Sequence, residues 1–347
     1  MAKATILVIA PTPYFSDRGC HIRIYEELKV ISNLGYQAEL VTYPLGRSIG
    51  SAHITRTANL FWYKKTSAGP ALSKIILDKL LILKALHITK KTHPVLIHAH
   101  LHEGMFIAWW VRFFYRIPIL LDLQSNLSEE LTSYRGIWKL LSPLGKIYEN
   151  WCLTSADYVV ASSNHFKKNI TVLPDGISST LPNLTGDYKY DLVYSGGLGK
   201  QKGTDLLFTI LQSLDVKCLL IANDVTGYWH TQAEQLGIAS KLTWLTVPYE
   251  NLLNVLVTTK FGLEPKPIES TEGSGKLLNY MAAGVIPIAL RKANPYIESL
   301  SDLDKILKQP VDLNYRKHMQ DFVVKQSSWS NQTATLKQIY DRLIHQA

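Results

Sequence analysis

Short apolar runs of strand length alternate with segments of helical period along almost the whole chain, and this alternation restricts the possible folds more than any other feature. Thr5–Ala10 reads as a first strand. Cys20–Leu34 follows with apolar residues at Ile22, Tyr25, Leu28 and Ile31, the spacing of one helix face, and it stops at Gly35. Further strands are expected at Ala38–Tyr43, Val95–Ala99, Ile119–Leu123 and Tyr158–Ser162, with helical stretches between them. Strands that alternate with helices imply a parallel sheet covered on both faces. The rhythm pauses at Asp175–Tyr188, a linker composition rich in Gly, Ser, Pro, Asn and Asp. It resumes with strand Leu192–Ser195, helix Thr204–Leu214, strand Cys218–Ala222 and helix Tyr228–Leu236. Strands Leu242–Leu245, Phe261–Glu264 and Ile286–Leu290 complete it, with a helix at Lys276–Ala283 between the last two.

The expected fold is therefore α/β, with two similar, doubly wound halves. A chain of 347 residues exceeds one compact domain. The boundaries fall at 1–180 and 181–325, with a terminal stretch 326–347 whose helix, about Asn331–His345, could pack back on the first domain. Hydrophobic residues at 46% and charged residues at 19% exclude long disorder. Cys20, Cys152 and Cys218 are odd in number and far apart, so neither a disulfide framework nor a zinc site is suggested. No cleavage pattern follows the first apolar run, and Ile75–Leu86 and Met105–Tyr115 are too short or too interrupted by charge to span a bilayer. The expected location is cytoplasmic, or peripheral on the inner face of a membrane. The net charge of +9 admits an anionic membrane, nucleic acid or a phosphorylated substrate. With no nucleic-acid-binding signature, the nucleic-acid reading is set aside.

Ligands of open parallel sheets bind beyond the carboxyl ends of the strands, so the chemistry is sought in the residues that follow each strand. Four segments qualify. The turn Tyr194–Gly203 offers Gly196 and Gly197 for close backbone approach to an anion, and Lys202 adds a full charge. It reads equally as a tight turn with solvated lysines. The loop Gly273, Ser274 and Gly275 opens a helix with Lys276 in its first turn, a second anion-binding helix start. Leu277, Tyr280 and Met281 on that helix read as core. His98, His100 and His102 alternate after Ile97; imidazoles suit a metal, but no matching group follows downstream, and no metal ligand is assigned. A polar lining with His102 and Glu103 meeting a sugar hydroxyl fits better. Finally, Arg18 and Gly19 end the loop after the first strand, where the arginine would pair with phosphate or carboxylate or else with Asp17. Ser73–His93 and Trp109–Arg116 mix basic, aliphatic and aromatic residues, as surfaces in a lipid headgroup region do.

Taken in order, PTPYFSDRGCHIRIYEEL, LGYQAELVTYP, VLIHAHLHEG, PILLDLQ, ADYVVASS, VLPDGI, YSGGLGKQKGTDLL and GKLLNYMAAGVIPIAL make the chain resemble the retaining glycosyltransferases of the GT-B fold, glycosyltransferase family 4. The resemblance implies that the halves are Rossmann-like doubly wound domains facing a cleft. It also implies that the second domain binds a nucleotide-diphosphate sugar, a UDP- or GDP-sugar, and the first an acceptor: a glycan, a lipid-linked sugar or another hydroxyl. It implies no bound cofactor or metal. Gly196, Gly197, Lys202 and the Gly273–Lys276 loop would contact the diphosphate. Arg18, Gly19, Glu103 and Asp122 would meet the acceptor, with His102 beside the reacting groups. The family often carries two glutamates with seven residues between them. Here Asn279 stands at the ribose position and Thr271 at the other, with Glu272 adjacent as a substitute. Gly197 occupies the place of a frequent arginine. The implied reaction moves a hexose with retention, for polysaccharide or glycolipid synthesis, with the leaving diphosphate stabilised electrostatically. A rival reading is a non-catalytic GT-B-like partner subunit of another transferase. An epimerase of the same fold and a histidine-based metallohydrolase are more distant.

Overall fold

The computed structural model describes residues 3–17, 19–64, 73–133, 140–163, 170–177, 180–224, 226–265, 275–289 and 300–346. The chain divides into two compact units, the first made of Met1–Asp175 and Trp329–Ala347 and the second of Gly176–Ser328.

The first unit runs β1 (Thr5–Ala10), α1 (Gly19–Asn33), β2 (Gln37–Thr42), β3 (His53–Arg56), α2 (Ser73–Thr92), β4 (Leu96–His100), α3 (Leu101–Tyr115), β5 (Ile119–Leu123), α4 (Leu127–Ser133), α5 (Ser142–Ser155), β6 (Tyr158–Ala161) and β7 (Thr171–Val172). The seven strands are all parallel, in the order β3-β2-β1-β4-β5-β6-β7. Ile6–Ala10 of the central β1 are wholly buried, as a strand covered on both faces requires. One face packs Leu7, Ile9, Ile97 and Leu121 against Leu77 and Leu81 of α2 and Met105, Ala108 and Val111 of α3. The opposite face is polar at its centre. There Arg23 of α1, 2% exposed, donates to both oxygens of Asp122 at 2.7 and 2.9 Å, to the Leu173 carbonyl and to Asp175.

The second unit runs β8 (Tyr190–Ser195), α6 (Thr204–Ser213), β9 (Cys218–Ile221), α7 (Tyr228–Gln235), β10 (Leu242–Leu245), α8 (Tyr249–Leu256), β11 (Thr259–Glu264), α9 (Gly275–Ala282), β12 (Ile286–Ala289), α10 (Leu300–Leu307) and α11 (Leu313–Ser327). Its five parallel strands are ordered β10-β9-β8-β11-β12. Leu192, Tyr194 and Phe261 face α6, and Val193 and Leu219 face α8 and α9. Arg316 of α11 is fully buried and donates to four backbone carbonyls, those of Gly284, Thr185, Val257 and Ala283, at 2.5–3.2 Å. The last helix, α12 (Trp329–Gln346), belongs to the first unit, where Tyr340 stacks edge-on against Tyr36 at 5.9 Å.

The α/β alternation read from the sequence is thus present, with both sheets parallel. Strands β3 and β7 and helices α8, α10 and α11 have no counterpart in that reading. β3 and β7 are edge strands whose residues are exposed or half-buried, so they lack the apolar run that marks the other strands.

Candidate functional site

Each sheet has one point where the strand order reverses, between β1 and β4 in the first and between β8 and β11 in the second. Crevices form at the carboxyl ends of such strand pairs because the connections diverge there.

In the second unit the chain leaves β8 at Ser195 and turns at Gly196, whose φ of +147° suits glycine. A Cβ added to Gly196 would stand 3.4 Å from Cε and 3.5 Å from Nζ of Lys276. The expected anion-binding turn and the expected lysine are therefore side by side. Lys276 Nζ also lies 3.1 Å from Glu264 Oε1 and 4.5 Å from the centre of the Tyr194 ring. Its side chain is 16% exposed and that of Glu264 is 1% exposed. Tyr194 donates through its hydroxyl to the Gly197 carbonyl at 2.6 Å and so fixes the turn. Burial raises the pKa of this phenol above the ordinary range, which keeps it a neutral donor. Lys202 is half-buried in a 3-10 turn, Lys200–Lys202, that ends at Gly203. Gly203 has a φ of +78° and approaches β11 so closely that a Cβ would lie 2.1 Å from the Pro265 carbonyl oxygen. The Lys202 turn is thereby held against the end of the strand that carries Glu264.

Gly275 opens α9 on the surface and Asn279 is half-buried one turn later. Tyr280, read from the sequence as core, is fully buried, and its hydroxyl also accepts from the Ser195 backbone N–H at 2.9 Å. Gly262 leaves the room for that ring, since a Cβ there would meet Tyr280 Cδ2 at 2.4 Å. Glu272, Gly273 and Ser274 lie outside the described residues, as do Thr271 and Arg18. The reading of the residues missed Glu264 as a site group. The available signal was a carboxylate that closes the buried run Phe261–Leu263 at the end of its strand.

In the first unit the loop after β1 is organised by His21. The Ser16 N–H donates to His21 Nδ1 at 2.9 Å, which leaves the proton on Nε2, 2.6 Å from Thr12 Oγ1. Asp17 pairs with Arg47 at 2.9 Å. Gly19 begins α1 and is exposed.

The three alternating histidines do not share a face. His100 ends β4, and Leu101, with a φ of +66°, turns the chain into α3, so His102 and Glu103 ride on its first turn. His102 is 5% exposed, with Nε2 3.6 Å from Glu149 Oε2. Glu103 is half-buried and pairs with Lys74 at 3.4 Å. Asp122 is fully buried, bound by Arg23 and 3.1 Å from His100 Nδ1. Arg23 and His100 depress the pKa of Asp122 below the usual carboxylate range against the opposing effect of burial. Asp122 is therefore an ionised internal partner, whereas Glu103 reaches solvent.

No family model matches the chain, and no curated protein matches it by sequence. Solved structures do. Sucrose-phosphate synthase from Thermosynechococcus elongatus superposes with a TM-score of 0.78 at 14% identity, covering 99% of this chain and 100% of that one. HepE from Anabaena, in complex with UDP and glucose, gives 0.68 at 13% identity over 97% and 99%. The catalytic domain of starch synthase IV from Arabidopsis thaliana, bound to ADP and acarbose, gives 0.68 at 12% identity over 99% and 100%. The fold is that of the GT-B glycosyltransferases, with two Rossmann-like units.

Proposed function

We propose that the protein is a glycosyltransferase that moves a hexose from a nucleotide-diphosphate sugar to an acceptor hydroxyl with retention of configuration, in polysaccharide or glycolipid synthesis. The observation that carries this reading is the place of Lys276. Its ammonium abuts the Gly196 turn at the switch point of the second sheet, where a diphosphate would meet backbone N–H groups and a positive charge together. Similar folds have been solved with UDP and glucose and with ADP.

In this mechanism Lys276 and Lys202 take up the negative charge that develops on the diphosphate as the glycosidic bond breaks, and the loop Gly273–Gly275 presents N–H groups to it. Asn279 donates to a ribose hydroxyl, and Glu272 stands in for the missing carboxylate at the sugar. On the acceptor side Glu103 orients the hydroxyl, and His102 and Gly19 line its approach. Asp122 acts one step removed, by fixing Arg23 and His100.

An anionic membrane is the proposed second partner. Phe106, Phe113, Phe114 and Tyr115 of α3 are 37–65% exposed, as are Ile75, Ile76 and Leu83 of the neighbouring α2 at 50–65%. Lys79, Lys84, Arg112 and Arg116 are interspersed with them, a composition suited to headgroups. No helix among the described residues is long and apolar enough to cross a membrane.

Calorimetric titration against UDP-, GDP- and ADP-sugars tests the central reading. Saturable binding of one donor class is expected. No binding across the panel would move the chain to the non-catalytic partner reading.

A further inference from the structure

The polar centre of the first unit holds more unsatisfied groups than a structural ion pair requires. Glu27 sits one turn after Arg23 on α1, and His98 and His100 are alternate residues of β4, so both imidazoles project from one face of the strand. All three side chains are buried to within 1% of completely. Among the described residues, Nε2 of His98, Nε2 of His100 and both oxygens of Glu27 have no hydrogen-bond partner. Glu27 Oε1 has an ion-pair partner in Arg23 at 3.3 Å. A buried polar atom without a partner costs on the order of 1–3 kcal/mol, so the other three in one place call for an occupant.

The geometry supplies one. Glu27 Oε2 lies 3.5 Å from His100 Nε2 and 3.7 Å from His98 Nε2, too far for good hydrogen bonds. Ligands held about 2.0–2.1 Å from a tetrahedral zinc ion stand roughly 3.3–3.4 Å from one another, close to this spacing. One ligand atom from each of Glu27, His98, His100 and Asp122 can be chosen so that all four lie within 4.8 Å of one another. The other ring nitrogens are already engaged. His100 Nδ1 is 3.1 Å from Asp122 Oδ2, and His98 Nδ1 is 2.9 Å from the Tyr340 hydroxyl. This is how metal-binding imidazoles are usually oriented from behind, with the free lone pair on Nε2. Arg23 Nη2, 3.3 Å from Glu27 Oε1, leaves Oε2 as the single coordinating oxygen.

We propose that Glu27, His98 and His100 form a buried divalent-cation site suited to zinc, with Asp122 and Tyr340 as supporting partners. Charge agrees with this. Asp122, Asp175 and ionised Glu27 set three negative charges against the one positive charge of Arg23, and a dication brings the sum to zero. No matching group follows the histidines in the sequence, because the carboxylate comes from a helix far upstream. With Glu27, His98, His100 and Asp122 all buried, the ion has a structural role. It fastens α1 to β4 and, through Tyr340, draws in the terminal helix α12.

The test uses the full chain, expressed in zinc-supplemented medium so that loading accompanies folding, then purified and dialysed. Elemental analysis should find one zinc per chain, and expression with cobalt should give the visible absorption of tetrahedral Co2+. Glu27→Gln and His100→Asn should each lower zinc content at least tenfold, while His230→Asn, on an exposed histidine of the second unit, should leave it unchanged. Wild-type folded protein with less than a tenth of an equivalent of zinc and no cobalt band would overturn the proposal and assign the cluster to a proton. That result needs no variant, so a misfolded Glu27→Gln cannot obscure it.

Discussion

Replacing Lys276 by Met keeps most of the length of the side chain and removes its charge. Two consequences follow, and they separate. Glu264, whose side chain is 1% exposed, loses its ammonium partner and remains a buried carboxylate. Breaking a fully buried pair costs about 3–5 kcal/mol. Because Lys276 is 16% exposed and water reaches its end of the pair, about 2–3 kcal/mol is the fitting figure here. For a unit the size of Gly176–Ser328 this lowers the melting temperature by roughly 5–10 °C. Donor binding weakens as well, by the roughly 1.5–3 kcal/mol of a charge-assisted hydrogen bond, or about 10- to 100-fold in Kd. The double variant Lys276→Met/Glu264→Gln removes both charges. It should recover most of the lost melting temperature and none of the lost affinity. Differential scanning calorimetry and isothermal titration with the donor identified in the panel read the two effects independently. A double variant that binds the donor within threefold of wild type would refute the assignment of Lys276 to the diphosphate. A single variant that melts with wild type would refute the electrostatic account of the Glu264 pair.

Two further outcomes are expected. The chain should sediment with anionic liposomes at low salt, and Phe113→Ser/Phe114→Ser should reduce the pelleted fraction severalfold; equal pelleting of variant and wild type would remove the exposed aromatics of α3 from the membrane reading. Asp78 accepts from the Tyr43 hydroxyl at 2.5 Å, and burial raises its pKa from 3.8 to about 6. A carboxyl whose folded pKa is raised contributes stability that is fully present below its unfolded value and is lost as pH rises through the folded value. Thermal stability should therefore fall between about pH 4 and 6 in wild type, and Asp78→Asn should flatten that slope. An unchanged slope in the variant would place the titration elsewhere.

The fold class was legible because periodicity is local. Strands such as Thr5–Ala10 are short, apolar and followed by a segment of helical spacing, so α/β alternation with parallel sheets could be read without tertiary information. Strands β3 and β7 and helices α8, α10 and α11 carried too little pattern to be read. The site was legible only in its glycines and lysines. Gly196 and Lys276 stood out through their spacing, and the fold brings them together. Glu264 did not stand out, because a carboxylate matters there only once a lysine from a later helix reaches back to it. The same holds for Glu27, which meets His98 and His100 through a crossover no local motif encodes. His102 marks the opposite limit. It alternates with His98 and His100 in the sequence, but a left-handed Leu101 ends the strand and carries His102 onto α3.

The two units are each fastened by one buried arginine, and the two fasteners answer differently to acid. Arg23 grips carboxylates, and the depressed pKa of Asp122 means that its contribution is complete above the ordinary aspartate range and disappears as pH falls through the lowered value. Arg316 grips only peptide carbonyls, which have no proton to gain in that range. Acidification therefore loosens the knot that joins α1 to β5 while the knot that joins α11 to the loops of the second sheet keeps all of its bonds. The halves of this chain share an architecture, yet one is tied with titratable anions and the other with dipoles.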